Sequence, residues 1–233
     1  MKSNDPSLVP LKRKAAERAV AAVEDKMVLG LGSGSTAALM VEALAGRIAA
    51  EGLQVTGIPT SEGTAALAKR LGVPLTDFEH NRRIDLTIDG ADQIEQGTLN
   101  LVKGLGGALL REKIVAEASA RMIVIADPTK LVAKLGSATP LPVEIVPFGW
   151  PVVLDRLKEL RAECVLRRDG DVPFVTNGGN YVADCRFDAI ADAGALQAKL
   201  KAITGVVETG LFIGLATQAM IGREEGVEVL DAG

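Results

Sequence analysis

The chain has 233 residues, 48% of them hydrophobic, and a formal net charge of −4. That length and apolar content can bury a sizeable core, as one large domain or one domain with an insertion, while the slight acidity argues against sequence-independent nucleic-acid binding, which needs a basic footprint. No apolar stretch reaches about 18 residues and the first residues lack the apolar core of a signal peptide, so a cytoplasmic protein with no membrane partner is expected.

In chain order, an amphipathic helix is predicted near Leu11 to Val23 and a strand at Met27 to Leu31. The strand feeds Gly30-Leu-Gly-Ser-Gly-Ser-Thr36, which opens a helical pattern running to about Ala50. This loop lacks the lysine of a Walker loop and the glycine spacing of a dinucleotide fingerprint, so nucleotide binding is disfavoured. Hydroxyls on Ser33, Ser35 and Thr36, added to backbone amides at a helix N-terminus, suit a single phosphate monoester; a merely structural turn needs fewer hydroxyls. Leu53 to Ile58 is a second strand, and the hydroxyls of Thr60-Ser-Glu-Gly-Thr64 either cap the next helix or touch substrate, with capping favoured.

His80, in the polar connection Phe78-Glu-His-Asn-Arg-Arg83, is the only histidine of the chain and reads as a solvated residue. Its solitude removes Ser-His-Asp and Cys-His catalysis and most imidazole metal centres, leaving proton transfer to other groups. The strand Ile84-Asp-Leu-Thr-Ile-Asp-Gly-Ala-Asp92 delivers Asp89 and Asp92 into a loop, where the carboxyl end of a parallel strand borders the ligand crevice. Asp85, inside the strand, reads as structural, and an Asx-turn would account for one of the two loop acids but less well for both. Lys103-Gly-Leu-Gly-Gly-Ala-Leu-Leu-Arg-Glu-Lys113 then runs a glycine-rich turn into a helix. Such a turn either packs a βα connection tightly or holds an anion beside a carboxylate, and Glu112 with Lys103 favours the second.

Met122 to Ala126 is an apolar strand of a sheet covered on both faces. After Lys134 the pattern changes: prolines cluster, Val172 to Val182 reads as a hairpin around Asn177-Gly-Gly-Asn180, and helices are expected near Val153 to Arg161 and Ala193 to Ile203. These make a small α+β insertion over 136–204, with 1–135 and 205–233 forming the main domain and Gly205 to Leu215 returning to its sheet. Trp150 is expected as a packing anchor, and Cys164 and Cys185 as ordinary thiols, too few for a disulfide framework or a zinc site.

These motifs, together with Pro140-Leu-Pro-Val-Glu144 and Gly205-Val-Val-Glu-Thr-Gly-Leu-Phe212, resemble ribose-5-phosphate isomerase of the A type in order and spacing from about Leu11 onward. The resemblance implies an α/β fold, a Rossmann-like, mainly parallel sheet domain with a smaller inserted α+β (ferredoxin-like) lid. It implies interconversion of ribose 5-phosphate and ribulose 5-phosphate through an enediolate, with no metal and no cofactor, in a homodimer. Glu112 matches the family's base, with Asp89, Asp92 and Lys103 as catalytic partners. Lys12, Ser33, Gly34, Ser35, Thr36, Gly90, Ala91, Gly104, Leu105, Gly106 and Lys130 match substrate-binding positions. Three residues depart from the family pattern: Gln93 where glutamate is usual, Leu105 where glycine is common, and Thr217 where aspartate is frequent, with an expected effect on a closing helix.

Two other classes compete. A non-catalytic sugar-phosphate sensor would lack Glu112 and Lys103, and a DNA-binding regulator would need a helix-turn-helix for which the residues before Leu11 leave no room. An acyl-CoA transferase of related fold would carry its glutamate nucleophile in a different motif.

Overall fold

Helix α1 (Val9–Val20) starts at Pro10, whose missing amide costs nothing in a first turn, and presents Ala15, Ala16 and Ala19 inward without any exposed surface. In the computed structural model, which describes residues 5–233, it is followed by β1 (Val28–Leu31), α2 (Ser35–Glu51), β2 (Thr56–Pro59), α3 (Glu62–Arg70) and β3 (Leu86–Gly90). Next come β4 (Gln93–Glu95), β5 (Leu101–Val102), α4 (Leu109–Glu117), β6 (Met122–Ala126), a 3-10 turn (Pro128–Lys130) and β7 (Leu131–Val132). The chain continues through β8 (Leu141–Ile145), α5 (Trp150–Lys158), β9 (Glu163–Leu166), β10 (Arg168–Asp169), β11 (Val172–Pro173) and β12 (Tyr181–Arg186). It ends with α6 (Ala193–Lys201), β13 (Val206–Thr209), β14 (Leu211–Phe212), β15 (Gln218–Arg223) and β16 (Gly226–Asp231).

Two compact units result. The first comprises Met1–Ala91, Glu112–Lys130 and Gly214–Gly233, the second Asp92–Arg111 and Leu131–Ile213. In the first, a six-stranded sheet has the order β16-β15-β6-β3-β1-β2, parallel throughout except for the β15–β16 hairpin. All five residues of β6 are buried, as a strand covered on both faces requires. The chain leaves β1 for β2 on one side and then passes to β3 on the other. That reversal of strand order opens a crevice outside the carboxyl ends of β1 and β3, the standard ligand position of an open α/β sheet.

Helix α4 runs against this sheet. Val115 and Ala118 pack with Ile58, Ile84 and Val28, the Ile84 amide donates to the Ala118 carbonyl, and the Thr87 and Ser119 hydroxyls are 2.6 Å apart. The C-terminal end of α4 is therefore tied to the start of β3, and its earlier residues run toward the strand's carboxyl end.

The second unit has the element order β8-α5-β9-β12-α6-β13 with the sheet order β13-β8-β12-β9, all antiparallel. This is the split βαβ pattern expected of a ferredoxin-like insertion. A second small sheet, β14-β5-β4-β7, belongs to the same unit. Residues 92–111 and 205–213 thus group with the second unit, whereas the composition break after Lys134 had kept them with the first; short strands β4, β5 and β14, invisible to periodicity, carry them there.

Four local expectations are corrected. Residues 206–209 pair with β8 rather than returning to the main sheet, a role taken by β15. The expected hairpin over 172–182 keeps its turn, closed by the Thr176 amide on the Asn180 carbonyl, but β12 pairs with β8 and β9 while β11 pairs with β10. Thr217 precedes a strand, not a helix, and its hydroxyl donates to the Met122 carbonyl at 2.8 Å. Cys164 and Cys185 are joined in a disulfide, because they are direct partners across β9 and β12, an adjacency that their separation of 21 residues conceals in the sequence. Trp150 packs on the core of the second unit.

Helix α1 approaches β15 so closely that a methyl group on Gly222 would overlap the Leu11 carbonyl. Gly222→Ala should therefore lower stability by about 1–3 kcal/mol, read as a lower urea midpoint with an unchanged slope. An unchanged midpoint would mean that α1 does not rest on this strand.

Candidate active site

In the first unit, β1 ends in a loop shaped by one close approach. Gly32 lies so near Asp89 that any β-carbon there would overlap the Asp89 carboxylate, and the Ser33 amide donates to Asp89 Oδ1 at 3.0 Å. Asp89 itself has no exposed surface and also accepts its neighbour Gly90's amide at 2.7 Å. Gly34 then adopts a φ of 96° with open space around it and serves as N-cap of α2 without a side-chain cap. The first amides of α2 are left facing outward, as an anion site needs. Ser35 is exposed and Thr36 half-buried at this end, and a β-carbon added to Gly90 would lie 3.9 Å from that of Thr36.

Ser33 plays a different part from its two neighbours. Its hydroxyl lies 2.7 Å from that of Thr60, donates to Ser61 at 2.8 Å and is 3.2 Å from Thr64. Ser61 is in turn the N-cap of α3, accepting the Thr64 amide at 3.1 Å, which bears out the capping reading. The loop is thereby stapled to α3, and Ser33 contributes its fold to the site more than its hydroxyl.

Two buried lysines face the same end of the sheet. Lys12, 3% exposed, has Nζ 3.5 Å from Ser35 Oγ and 4.0 Å from Asp127 Oδ2, and Lys130, 9% exposed, closes the 3-10 turn after β6. Burial pushes the Lys12 ammonium below its usual pKa, Asp127 opposes this, and Lys130 adds to it. Asp127 was missed in the sequence, where Ala-Asp-Pro-Thr-Lys drew attention only to its lysine; its place at the end of a wholly apolar strand was the available signal.

Glu112 is buried on α4. Val115 of the same helix would touch a β-carbon on Gly30 of β1, so Glu112, one turn earlier on that face, lies toward the carboxyl ends of β1 and β3. The first unit thus gathers Lys12, the 33–36 loop, Asp89, Gly90, Glu112 and Lys130 at one end of its sheet. His80, by contrast, is exposed and pairs with Asp77, as a solvated residue should.

In the second unit the glycine-rich turn is held from several sides. Gly104 and Gly107 have φ of 104° and 78°, conformations that favour glycine, whereas Leu105 needs no positive φ, so leucine is accommodated in place of the family's common glycine. The Leu105 amide donates to Asp92 Oδ2 at 2.9 Å, and Arg167 donates to the carbonyls of Gly104 and Leu105, both at 3.0 Å, while its other nitrogens engage Asp184. Phe174 fills the space beside Gly107. Lys103 is 2% exposed with Nζ 5.6 Å from the centre of the Phe212 ring, a cation–π contact that steadies its charge. Gly106, within this turn, is exposed, and Ala91, the last residue of its stretch of the first unit, is half-buried. Gln93 turns inward with no exposed surface: its Nε2 donates to Thr139 Oγ1 at 2.6 Å and its Oε1 accepts the Gly136 amide at 2.8 Å. The same Nε2 also donates to the Thr139 carbonyl at 3.3 Å, which a carboxylate could not do, so this departure is structural.

Among the described residues no three His, Cys, Asp or Glu side chains converge as a metal site, and no helix is long and apolar enough to cross a membrane. Residues 56–226 match the family described as ribose 5-phosphate isomerase A (phosphoriboisomerase A). A ribose-5-phosphate isomerase A from Synechococcus sp. (strain JA-3-3Ab) is 53% identical over 222 residues, covering 94% of this chain and 96% of its own. The solved ribose 5-phosphate isomerase A of Methanocaldococcus jannaschii superposes with a TM-score of 0.92 at 40% identity, over 96% of this chain and 99% of its own. A D-ribose-5-phosphate isomerase solved in complex with phospho-erythronic acid gives a TM-score of 0.92 at 34% identity, over 95% and 98%.

If the Ser33 hydroxyl staples the loop to α3, Ser33→Ala should lower stability by about 1–3 kcal/mol through three hydroxyls deprived of a shared partner. Thermal or urea denaturation measures this. Unchanged stability would mean that the hydroxyl is available to a ligand instead.

Proposed function

Since the chain belongs to the ribose 5-phosphate isomerase A family, we infer that it is an aldose–ketose isomerase interconverting D-ribose 5-phosphate and D-ribulose 5-phosphate. The observation that carries the residue assignment is the gathering of an uncapped helix N-terminus, two buried lysines, a buried aspartate and a buried glutamate at one end of a parallel sheet. A phosphate monoester suits the helix N-terminus and the two lysines, and a carbon acid suits the glutamate. The relative bound to phospho-erythronic acid, itself a phosphorylated sugar acid, supports the same ligand chemistry. A non-catalytic sensor is not supported: the relatives carry an enzyme's name and Glu112 and Lys103 are retained.

The chemistry proceeds in three moves. Phosphate binding at the amides of Ser35 and Thr36 with Lys12 and Lys130 fixes one end of the sugar, converting its remote binding energy into orientation of C1 and C2. Asp89 and Asp92 assist transfer of the anomeric hydroxyl proton to the ring oxygen, opening the furanose to the aldehyde. Glu112 then removes the C2 proton and negative charge develops on O1, while the family resemblance assigns stabilisation of the enediolate to Lys103 and the amides of the glycine-rich turn. Transfer of the O2 proton to O1 and redelivery of the proton from Glu112 to C1 then give the ketose, with its carbonyl at C2 and its hydroxyl at C1. Burial of Glu112 slows exchange of that proton with bulk water, so that return to the sugar competes with its loss. A homodimer and a cytosolic location accompany this reading; the first follows from the family resemblance, the second from a charged sugar phosphate that does not cross membranes.

Glu112→Gln keeps the side chain's shape and removes only the proton carrier, so kcat should fall by roughly 10²–10⁴-fold or more while KM stays within a few fold. Steady-state kinetics on ribose 5-phosphate checks this. Near-parental turnover would remove Glu112 from the mechanism.

A further inference from the structure

Asp127 directly follows β6 with 1% exposure, and its two oxygens are used very differently. Oδ1 accepts the Thr129 amide at 3.0 Å and the Thr129 hydroxyl, which forms the turn leading to Lys130. Oδ2 accepts no hydrogen bond among the described residues and has the Lys12 ammonium 4.0 Å away. A buried carboxylate oxygen without a donor is costly and persists where a cation faces it. The same ammonium lies 3.5 Å from Ser35 Oγ at the uncapped start of α2.

We propose that Asp127 is a positioning residue of the phosphate site, its buried carboxylate fixing the charged Lys12 side chain against the open N-terminus of α2. The proposal rests on the reading of that N-terminus as the seat of the substrate phosphate. Two lysines against one aspartate leave a net positive site for a dianion, while the aspartate offsets the repulsion between the lysines and the cost of burying Lys12.

The surroundings of Lys12 make this testable through pH. Burial lowers its proton affinity, Asp127 is the strongest group raising it, Lys130 lowers it, and Asp5 raises it weakly. Charged groups on the elements packed against α1 are otherwise engaged: Glu42 of α2 pairs with Arg13, Arg223 of β15 pairs with Glu228 of β16, and Lys14 binds the carbonyls of Arg223 and Glu224. Asparagine at position 127 keeps an oxygen for Thr129 but removes the charge, so Lys12 should lose its proton at lower pH. A phosphate monoester is already mostly dianionic above about pH 7, so changes above that pH report on the protein.

The experiment is KM and kcat for ribose 5-phosphate between pH 7 and pH 9 in the parent protein, Asp127→Asn and Lys12→Met. In Asp127→Asn, KM should rise by roughly tenfold or more across this range, as expected when a hydrogen bond to a charged group disappears. It should change only a few fold in the parent, with kcat less affected than KM. In Lys12→Met, KM should be high at every pH and nearly flat. A profile in Asp127→Asn parallel to the parent's would overturn the proposal while leaving the phosphate reading intact. A Lys12→Met KM equal to the parent's would overturn both. Because the decisive comparison is within one variant across pH, a modest loss of stability cannot imitate it.

Discussion

The contact between the Gly32 backbone and the buried carboxylate of Asp89 is the constraint on which the first unit's chemistry depends. A parallel strand ends with its amides and carbonyls directed away from the sheet, and the loop after it can turn in many ways. Here the absence of a side chain at position 32 lets the loop rest on Asp89, and the Ser33 amide locks it there. Beyond that point Gly34 takes a positive φ and α2 starts without a side-chain cap. The hydroxyls of Thr60, Ser61 and Thr64 hold the far side of the loop through Ser33. Such a loop is held in place before any ligand arrives, which is what the proposed phosphate site requires.

The second unit solves a parallel problem with different means. A glycine-rich turn is intrinsically free, and a catalytic turn cannot be. Arg167 removes that freedom by binding two successive carbonyls of the turn while its charge is taken up by Asp184, and Asp92 takes the Leu105 amide. Asp92 therefore holds backbone as well as being a candidate for chemistry. Lys103 is buried beside the Phe212 ring, away from solvent, where the proposed electrostatic role would be least screened.

Much of this was legible in the chain. The apolar run of β6, the strand leading to Asp89 and the glycine-and-hydroxyl loop before α2 carry their structure locally, since period, turn chemistry and capping are read over a few residues. What escaped was non-local. Arg167 and Phe174 act on a turn that lies far from them in sequence, Cys164 and Cys185 meet only because β9 and β12 pair, and strands of two or three residues such as β5 and β14 have no period to detect. The division of labour within one motif was equally hidden. Ser33, Ser35 and Thr36 look alike as hydroxyls, yet only tertiary structure shows that the first is committed to α3. The departures at Gln93 and Leu105 look like changes of chemistry and turn out to be matters of hydrogen-bond pairing and backbone conformation.

The central claim is that one buried carboxylate carries a proton from C2 to C1 through an enediolate. Isomerisation of ribose 5-phosphate deuterated at C2, with the product's C1 analysed for label, tests it directly. A proton held on an oxygen acid exchanges with solvent in competition with its return, so the ribulose 5-phosphate should carry less than one equivalent of deuterium at C1, with the remainder in water, and C–D cleavage should show a primary isotope effect. Complete retention of deuterium at C1, at every pH and in every solvent mixture, would indicate direct hydride transfer and contradict the account.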